Sequence, residues 1–198
     1  MGAEDINVPR RRFLVAATVA LGAAGSAAAA VPFIASMSPS ARARAAGAPV
    51  DVDIGKIEPG QMLRVAWRGK PVWVVRRTSQ MLAGLPKNDP KLRDPRSLQS
   101  VQPPDCRNES RAIKPEYLVV VGICTHLGCS PTYRPELAPP DLGPDWRGGW
   151  LCPCHGSLYD LAARVYKDVP APLNMEVPPH HYVSEAKIMI GVDAKGGV

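Results

Sequence analysis

The longest feature in the hydropathy pattern is residues 13–37, a run without one charged side chain. As a helix it reaches roughly 37 Å at ~1.5 Å per residue, more than the ~30 Å of a hydrocarbon core. The run predicts a transmembrane anchor. It is only mildly apolar, because alanine dominates and Gly22, Gly25 and Pro32 interrupt it; such small side chains let membrane helices pack closely. Beyond residue 50 the pattern shortens. Residues 61–67 and 70–76 are β-prone and flank Arg68-Gly69, a hairpin signal. Residues 117–122 form a continuous apolar run and predict a buried strand, and residues 187–191 predict the last strand. Thr78 ahead of Ser-Gln-Met-Leu-Ala predicts the cap of a short helix ending near Gly84. Residues 86–113, polar and interrupted by proline, predict a long surface excursion. No internal repeat is visible. The expectation is an all-β antiparallel head on one N-terminal helix.

Composition supports loops over helix in the head. Proline accounts for 22 of 198 residues, about twice the usual ~5%. Half of the net charge of +6 lies before residue 50, where Arg10, Arg11, Arg12, Arg42 and Arg44 face only Glu4 and Asp5. No basic stripe interleaved with aromatics appears, which argues against nucleic-acid binding. The arginine run at 10–12 would hold residues 1–12 on the cytoplasmic side. With Phe13-Leu14 it also resembles the twin-arginine export signal through Arg10 and Arg11, departing from it at Pro9 and Val15. A cleaved signal peptide is the alternative, since Ala41-Arg42-Ala43 resembles a cleavage site. The uncharged run is longer than the usual signal core, which favours an anchor. Residues 38–49 are small, polar and proline-bounded. They read as a flexible hinge, about 20 Å across as a coil and at most ~40 Å when extended. Residues 50–198 form the globular domain.

The chemistry is concentrated in two loops, Cys124-Thr125-His126-Leu127-Gly128-Cys129 and Cys152-Pro153-Cys154-His155-Gly156-Ser157. Each offers a cysteine and a histidine at metal-ligand spacing: Cys124 with His126, and Cys152 with His155. Two thiolates and two imidazoles suit either a structural zinc ion or a two-iron cluster. Each loop carries one further cysteine, redundant for zinc, and Ser157 and Tyr159 follow the second loop with hydroxyls able to donate to sulfur.

These two loops, with the Ser-x-Tyr-Asp that follows, resemble those of the Rieske iron–sulfur proteins of cytochrome bc complexes. The resemblance extends over anchor, linker and head. It implies an antiparallel β head with a small cluster-binding subdomain at about residues 120–173. It implies one [2Fe–2S] cluster, held by Cys124 and Cys152 on one iron and His126 and His155 on the other. Replacing two thiolates by neutral imidazoles raises the potential of such a cluster. Cys129 and Cys154 match the family's disulfide. Ser157 matches the donor to a bridging sulfide, Tyr159 the donor to a cysteine sulfur, and Leu127 the apolar residue over the cluster. Pro170, Ala171 and Pro172 match a loop that walls the site. Val169 and Ala163 stand where the family often has glycine, so a positive φ there would be strained.

The function implied is that of the iron–sulfur subunit of a bacterial ubiquinol–cytochrome c oxidoreductase. His155 would face ubiquinol and take its proton, and the electron would pass to a membrane-anchored c-type cytochrome. The implied partners are that cytochrome and cytochrome b, in a dimeric multi-subunit complex. The implied location is the bacterial inner membrane, single-pass, with the head on the periplasmic side. Alternatives are the Rieske small subunit of another periplasmic oxidase and a zinc-stapled binding module. Asp160 after Tyr159 speaks against the chloroplast branch, and the spare cysteines and the anchor against an oxygenase ferredoxin. Gly156-Ser157 favours the quinol-oxidising branch over the other oxidases. Outside the loops, His180-His181 reads as a surface loop without a third ligand. Cys106 reads as a passive loop residue, Lys114-Pro115-Glu116 as a solvated turn, and Trp146 and Trp150 as packing under the second loop.

Overall fold

The computed structural model describes residues 7–193, and the chain divides into two compact units between Ala45 and Ala46. The first unit holds α1, Val8–Ser36, and all but the last residue of α2, Ala41–Ala46. Helix α1 begins earlier than the uncharged run suggests. Asn7 caps it, its side chain accepting from the Arg10 amide at 3.1 Å. The three arginines therefore form its first turns, and no acidic residue accompanies them. Cations at a helix N-terminus oppose the helix dipole, so helix stability does not account for them there. Residues 1–6 of the expected tail lie outside the described residues. No described residue of α1 is buried, and its mean hydropathy reaches 1.9, long and apolar enough to cross a membrane. The linker is not the uninterrupted coil expected. Ser40 accepts from the Ala43 and Arg44 amides, and Arg44 Nη1 donates to the Pro39 carbonyl, closing a short helix.

The head contains three antiparallel sheets of three strands each. The first pairs β1 (Val50–Asp53), β9 (Lys187–Ile190) and β8 (His180–Ser184). The second pairs β2 (Met62–Trp67), β3 (Lys70–Arg76) and β4 (Tyr117–Val121). The third pairs β5 (Thr132–Arg134), β6 (Gly149–Leu151) and β7 (Leu158–Asp160). The expected hairpin joins β2 to β3: Arg68 and Gly69 have φ of 50° and 71°, as a two-residue primed turn requires.

The second sheet is covered on both faces. Val72, Val74, Val119 and Val121 pack with Ile188 and Ile190 of the first sheet. Trp73, Val75, Leu118 and Val120, one residue out of phase, pack with Trp150, Tyr159, Cys124 and Cys152. A strand buried on both faces has no polar phase, which is why residues 117–121 read as one apolar run. The ring of Trp73 lies against Gly122 so closely that a Cβ there would come within 2.1 Å of it. That contact lets the chain leave β4 directly into the first cysteine loop.

Three expectations about the rest of the head change. Helix α3, Ser79–Asn88, is capped by Thr78 as expected but runs through Pro86 rather than ending near Gly84. Its buried Leu85, whose carbonyl accepts from Arg164 Nη2 at 2.9 Å, holds the last turn despite the proline. Residues 86–113 are a surface excursion only in part: half of them are exposed, but Leu92, Ser97, Cys106 and Arg111 are buried. Their polar groups are buried because they are bonded: Asp94 accepts from the Leu98 and Gln99 amides and from Ser100. Arg111 donates to the carbonyls of Ala163 and Met175 at 3.1 and 2.6 Å. Burial pulls Arg77 and Arg111 down to about 10, which leaves both charged at neutral pH. His180 and His181 are not in a surface loop but open β8, each ring bonded to a backbone carbonyl. His180 is buried, which lowers its pKa.

Candidate metal centre

The two cysteine loops share one backbone frame. In the first, the Cys124 amide donates to the Cys129 carbonyl at 2.8 Å and the Gly128 amide to the Cys124 carbonyl at 3.1 Å. In the second, the Cys152 amide donates to the Ser157 carbonyl at 2.8 Å and the Gly156 amide to the Cys152 carbonyl at 2.9 Å. Gly128 and Gly156 take positive φ, 85° and 73°, at the same step of each loop. No repeat was expected, yet the shared Cys-x-x-x-Gly spacing carries one. The loops leave β4 and β6, strands on opposite sides of the Trp73–Trp150 stack, whose rings are 6.0 Å apart. The Gly149 backbone approaches Tyr159 so closely that a Cβ would fall 1.9 Å from the Tyr159 carbonyl oxygen.

Two pairs of donors stand in the loops, the thiols of Cys124 and Cys152 and the rings of His126 and His155. Cys124 and Cys152 are free thiols, buried to 3% and 1% exposure. The rings of His126 and His155 meet edge to face with centroids 4.7 Å apart. His126 Nδ1 is buried with no hydrogen-bond partner. Burial raises the pKa of Cys152, and the adjacent Cys124 thiol raises it further, against backbone bonds from Cys154 and His155. Two buried thiols and an orphaned imidazole nitrogen are poorly satisfied alone and suit a cationic centre. The sulfurs of Cys129, Cys152 and Cys154 also lie within 4.8 Å of one another. Cys129 and Cys154 are joined in a disulfide with Cα atoms 6.6 Å apart, so that cluster leaves only Cys152 for a metal.

The surrounding hydroxyls are in place. Tyr159 is buried and its hydroxyl donates to Cys124 Sγ at 3.2 Å. Burial raises its pKa, and Cys124 raises it further. Ser157, also buried, accepts from the Ala171 amide at 3.1 Å, which pins the Pro170-Ala171-Pro172 segment to the second loop and leaves the serine proton free to point elsewhere. Leu127 stands at the tip of the first loop, 72% exposed. Ala163 does adopt a positive φ, 58°, and is fully buried. Arg111 and the Met175 amide both bond its carbonyl, so the surroundings hold the strained residue in place. The other expected strain falls on Asp168, at φ 57°, rather than on Val169.

A profile described as "Rieske [2Fe-2S] domain" matches residues 49–179, well over half of the chain. The chain belongs to the Rieske iron–sulfur family. Its N-terminus agrees, since a profile described as "Ubiquitinol-cytochrome C reductase Fe-S subunit TAT signal" matches residues 1–40. The ubiquinol–cytochrome c reductase iron–sulfur subunit of Allochromatium vinosum is 64% identical, over 98% of this chain and 93% of that protein. The subunit of the same name from Blastochloris viridis is 46% identical over 95% and 96%. A chain of a hyperthermophilic respiratory Complex III is similar at a TM-score of 0.49 and 26% identity, over 89% of this chain and 99% of that one. This Rieske subunit is thus the iron–sulfur component of an oxidoreductase complex, and its cofactor is a Rieske-type [2Fe–2S] cluster.

Some residues behave differently from the sequence expectation. Trp150 packs under the loops, against Trp73 and Tyr133, whereas Trp146 stacks on Tyr166. Cys106 is buried, and burial pushes its thiol up to about 11, in keeping with a passive role. Sequence reasoning missed the support behind the second loop. Buried Arg164 pairs with Asp160 at 2.7 Å and Asp89 at 2.9 Å, tying β7 to the end of α3. It also missed Thr125, which lies between two cluster-loop residues in sequence and carries no signal of its own.

Proposed function

We propose that Cys124 and Cys152 bind one iron and His126 and His155 the other, and that His155 is the group presented to ubiquinol. The observation that carries this reading is an asymmetry of exposure. Both thiols are buried and His126 is half-buried with its Nδ1 enclosed, whereas His155 is exposed at the tip of the second loop. When bound, the cluster supplies one-electron chemistry between quinol and a c-type cytochrome. His155 accepts the quinol hydrogen bond and proton through its outward ring. Leu127, exposed at the tip of the first loop, excludes water from the docked face. Tyr159 and Ser157 donate to sulfur and so favour the more negative, reduced state.

The subunit works with cytochrome b and a membrane-anchored c-type cytochrome in a dimeric complex. Helix α1 anchors it in the bacterial inner membrane, with Arg10 and Arg11 read by twin-arginine export and the head on the periplasmic side. Residues 38–49 form the tether between anchor and head. Gentle detergent extraction of the native complex tests the assembly: a b-type and a c-type cytochrome should copurify with this chain. Recovery of the chain without either would overturn it. Substituting His155 by Ala should abolish the cluster's electron paramagnetic resonance signal, and a normal signal would overturn the ligand assignment.

A further inference from the structure

Thr125 joins three parts of the site through one side chain and one amide. Its Oγ1 lies 2.6 Å from the Leu173 carbonyl oxygen. A carbonyl can only accept, so the threonine proton is committed to Leu173. The same Oγ1 lies 3.2 Å from the Tyr159 hydroxyl, and with its proton spent it can only accept there. The Thr125 amide meanwhile donates to the Tyr159 oxygen at 3.1 Å. Tyr159 therefore has its acceptor side engaged and a single proton facing two acceptors at equal distance, Cys124 Sγ and Thr125 Oγ1, both 3.2 Å away.

We propose that Thr125 is a positioning residue that sets the strength of the Tyr159-to-Cys124 hydrogen bond, and through it the redox potential. Its amide polarises the phenol and makes it a better donor. Its hydroxyl oxygen draws part of the same proton away from the sulfur. The hydroxyl holds that accepting role only while Leu173, just after the Pro170-Ala171-Pro172 segment, takes its proton. The strength of the sulfur bond thus depends on the wall of the site as well as on the two residues that make it. This inference rests on the reading that Tyr159 tunes the cluster through Cys124.

The test is a redox titration, followed by electron paramagnetic resonance, of membranes holding the full chain. Tyr159→Phe should lower the potential; if it does not, the tuning reading itself fails. Thr125→Val removes the competing oxygen and keeps the shape, and should raise the potential by less than Tyr159→Phe lowers it. Thr125→Ser keeps the oxygen and should restore the wild-type value. In the Tyr159→Phe background, Thr125→Val should shift nothing further, because Thr125 acts through the phenol. A lowered potential in Tyr159→Phe with an unchanged or lowered potential in Thr125→Val overturns the role of Thr125 alone. A shift that persists without the phenol overturns it too, by placing the effect on the Leu173 bond. Should the Val variant fail to assemble, Thr125→Ala removes the same oxygen with less bulk. Loss of the cluster in both would make Thr125 a structural residue and overturn the proposal.

Discussion

The two cysteine loops have the same backbone hydrogen bonds and glycines at the same step, yet they present different surfaces. The first is held from within. Tyr159 bonds the Cys124 sulfur, Thr125 bonds both Tyr159 and Leu173, and His126 Nδ1 is enclosed. The second is held at its end by Ser157 to Ala171 and at its tip by the disulfide from Cys154, while residues 153–156 stay exposed. One frame therefore carries two surroundings. Packing encloses groups of the first loop, and one imidazole of the second stays open to solvent. The difference comes from what packs around each loop and not from the loop itself.

Breaking either loop at a donor has the largest expected effect. Cys124→Ser and His155→Ala should each yield protein without a native cluster signal, read by absorbance and paramagnetic resonance. Equal loss from the enclosed and the exposed loop would show that ligation, unlike exposure, is symmetric. A native spectrum in either variant would remove that residue from the ligand set.

Next is the bond that joins the loops. Replacing Cys129 and Cys154 together by Ser removes a covalent tie across 25 residues of sequence. The expected cost is about 3 kcal/mol, from the greater freedom of the unfolded chain. Thermal unfolding under non-oxidising and non-reducing conditions would measure it. An unchanged midpoint would mean that the loops are held by packing alone.

Smaller again are changes of potential. Ser157→Ala acts on the second loop and Tyr159→Phe on the first, and each removes a donor without removing a ligand. Both should lower the potential, and their effects should add if the two loops tune independently. A double variant well short of the sum would show that the loops are coupled.

The finest comparison is of the shared frame. Gly128→Ala and Gly156→Ala both place a Cβ in open space at positive φ, so only backbone strain is added. Each should cost about 1 kcal/mol of stability. Matching costs would confirm that the two turns are equivalent; a large mismatch would break the analogy.

Local signals were readable wherever the chemistry was local. The anchor run, the Arg68-Gly69 turn, the Thr78 cap, the strand over residues 117–121 and the two cysteine loops each depend on near neighbours, and each stands where the pattern puts it, apart from shifted helix ends. The buried anchors of segment 86–113 were not legible because their polarity is satisfied by partners far along the chain. Arg111 bonds Ala163, and Asn174 bonds Asp94 and Ser97, pairings that no local window contains. The histidines at 180 and 181 were misread for the same reason, since proline-rich flanks suggest a loop while pairing with β9 makes a strand.

By itself the sequence determined the donor types, their spacing, the glycines that let each loop turn, and an uncharged run long enough to span a membrane. Only the tertiary structure decided that the loops share one frame, which histidine is half-buried and which exposed, and that Thr125 stands between Tyr159 and Leu173. The reason is physical. Spacing and charge are properties of neighbouring residues, whereas burial and the sharing of one proton between two acceptors require elements distant in sequence to meet.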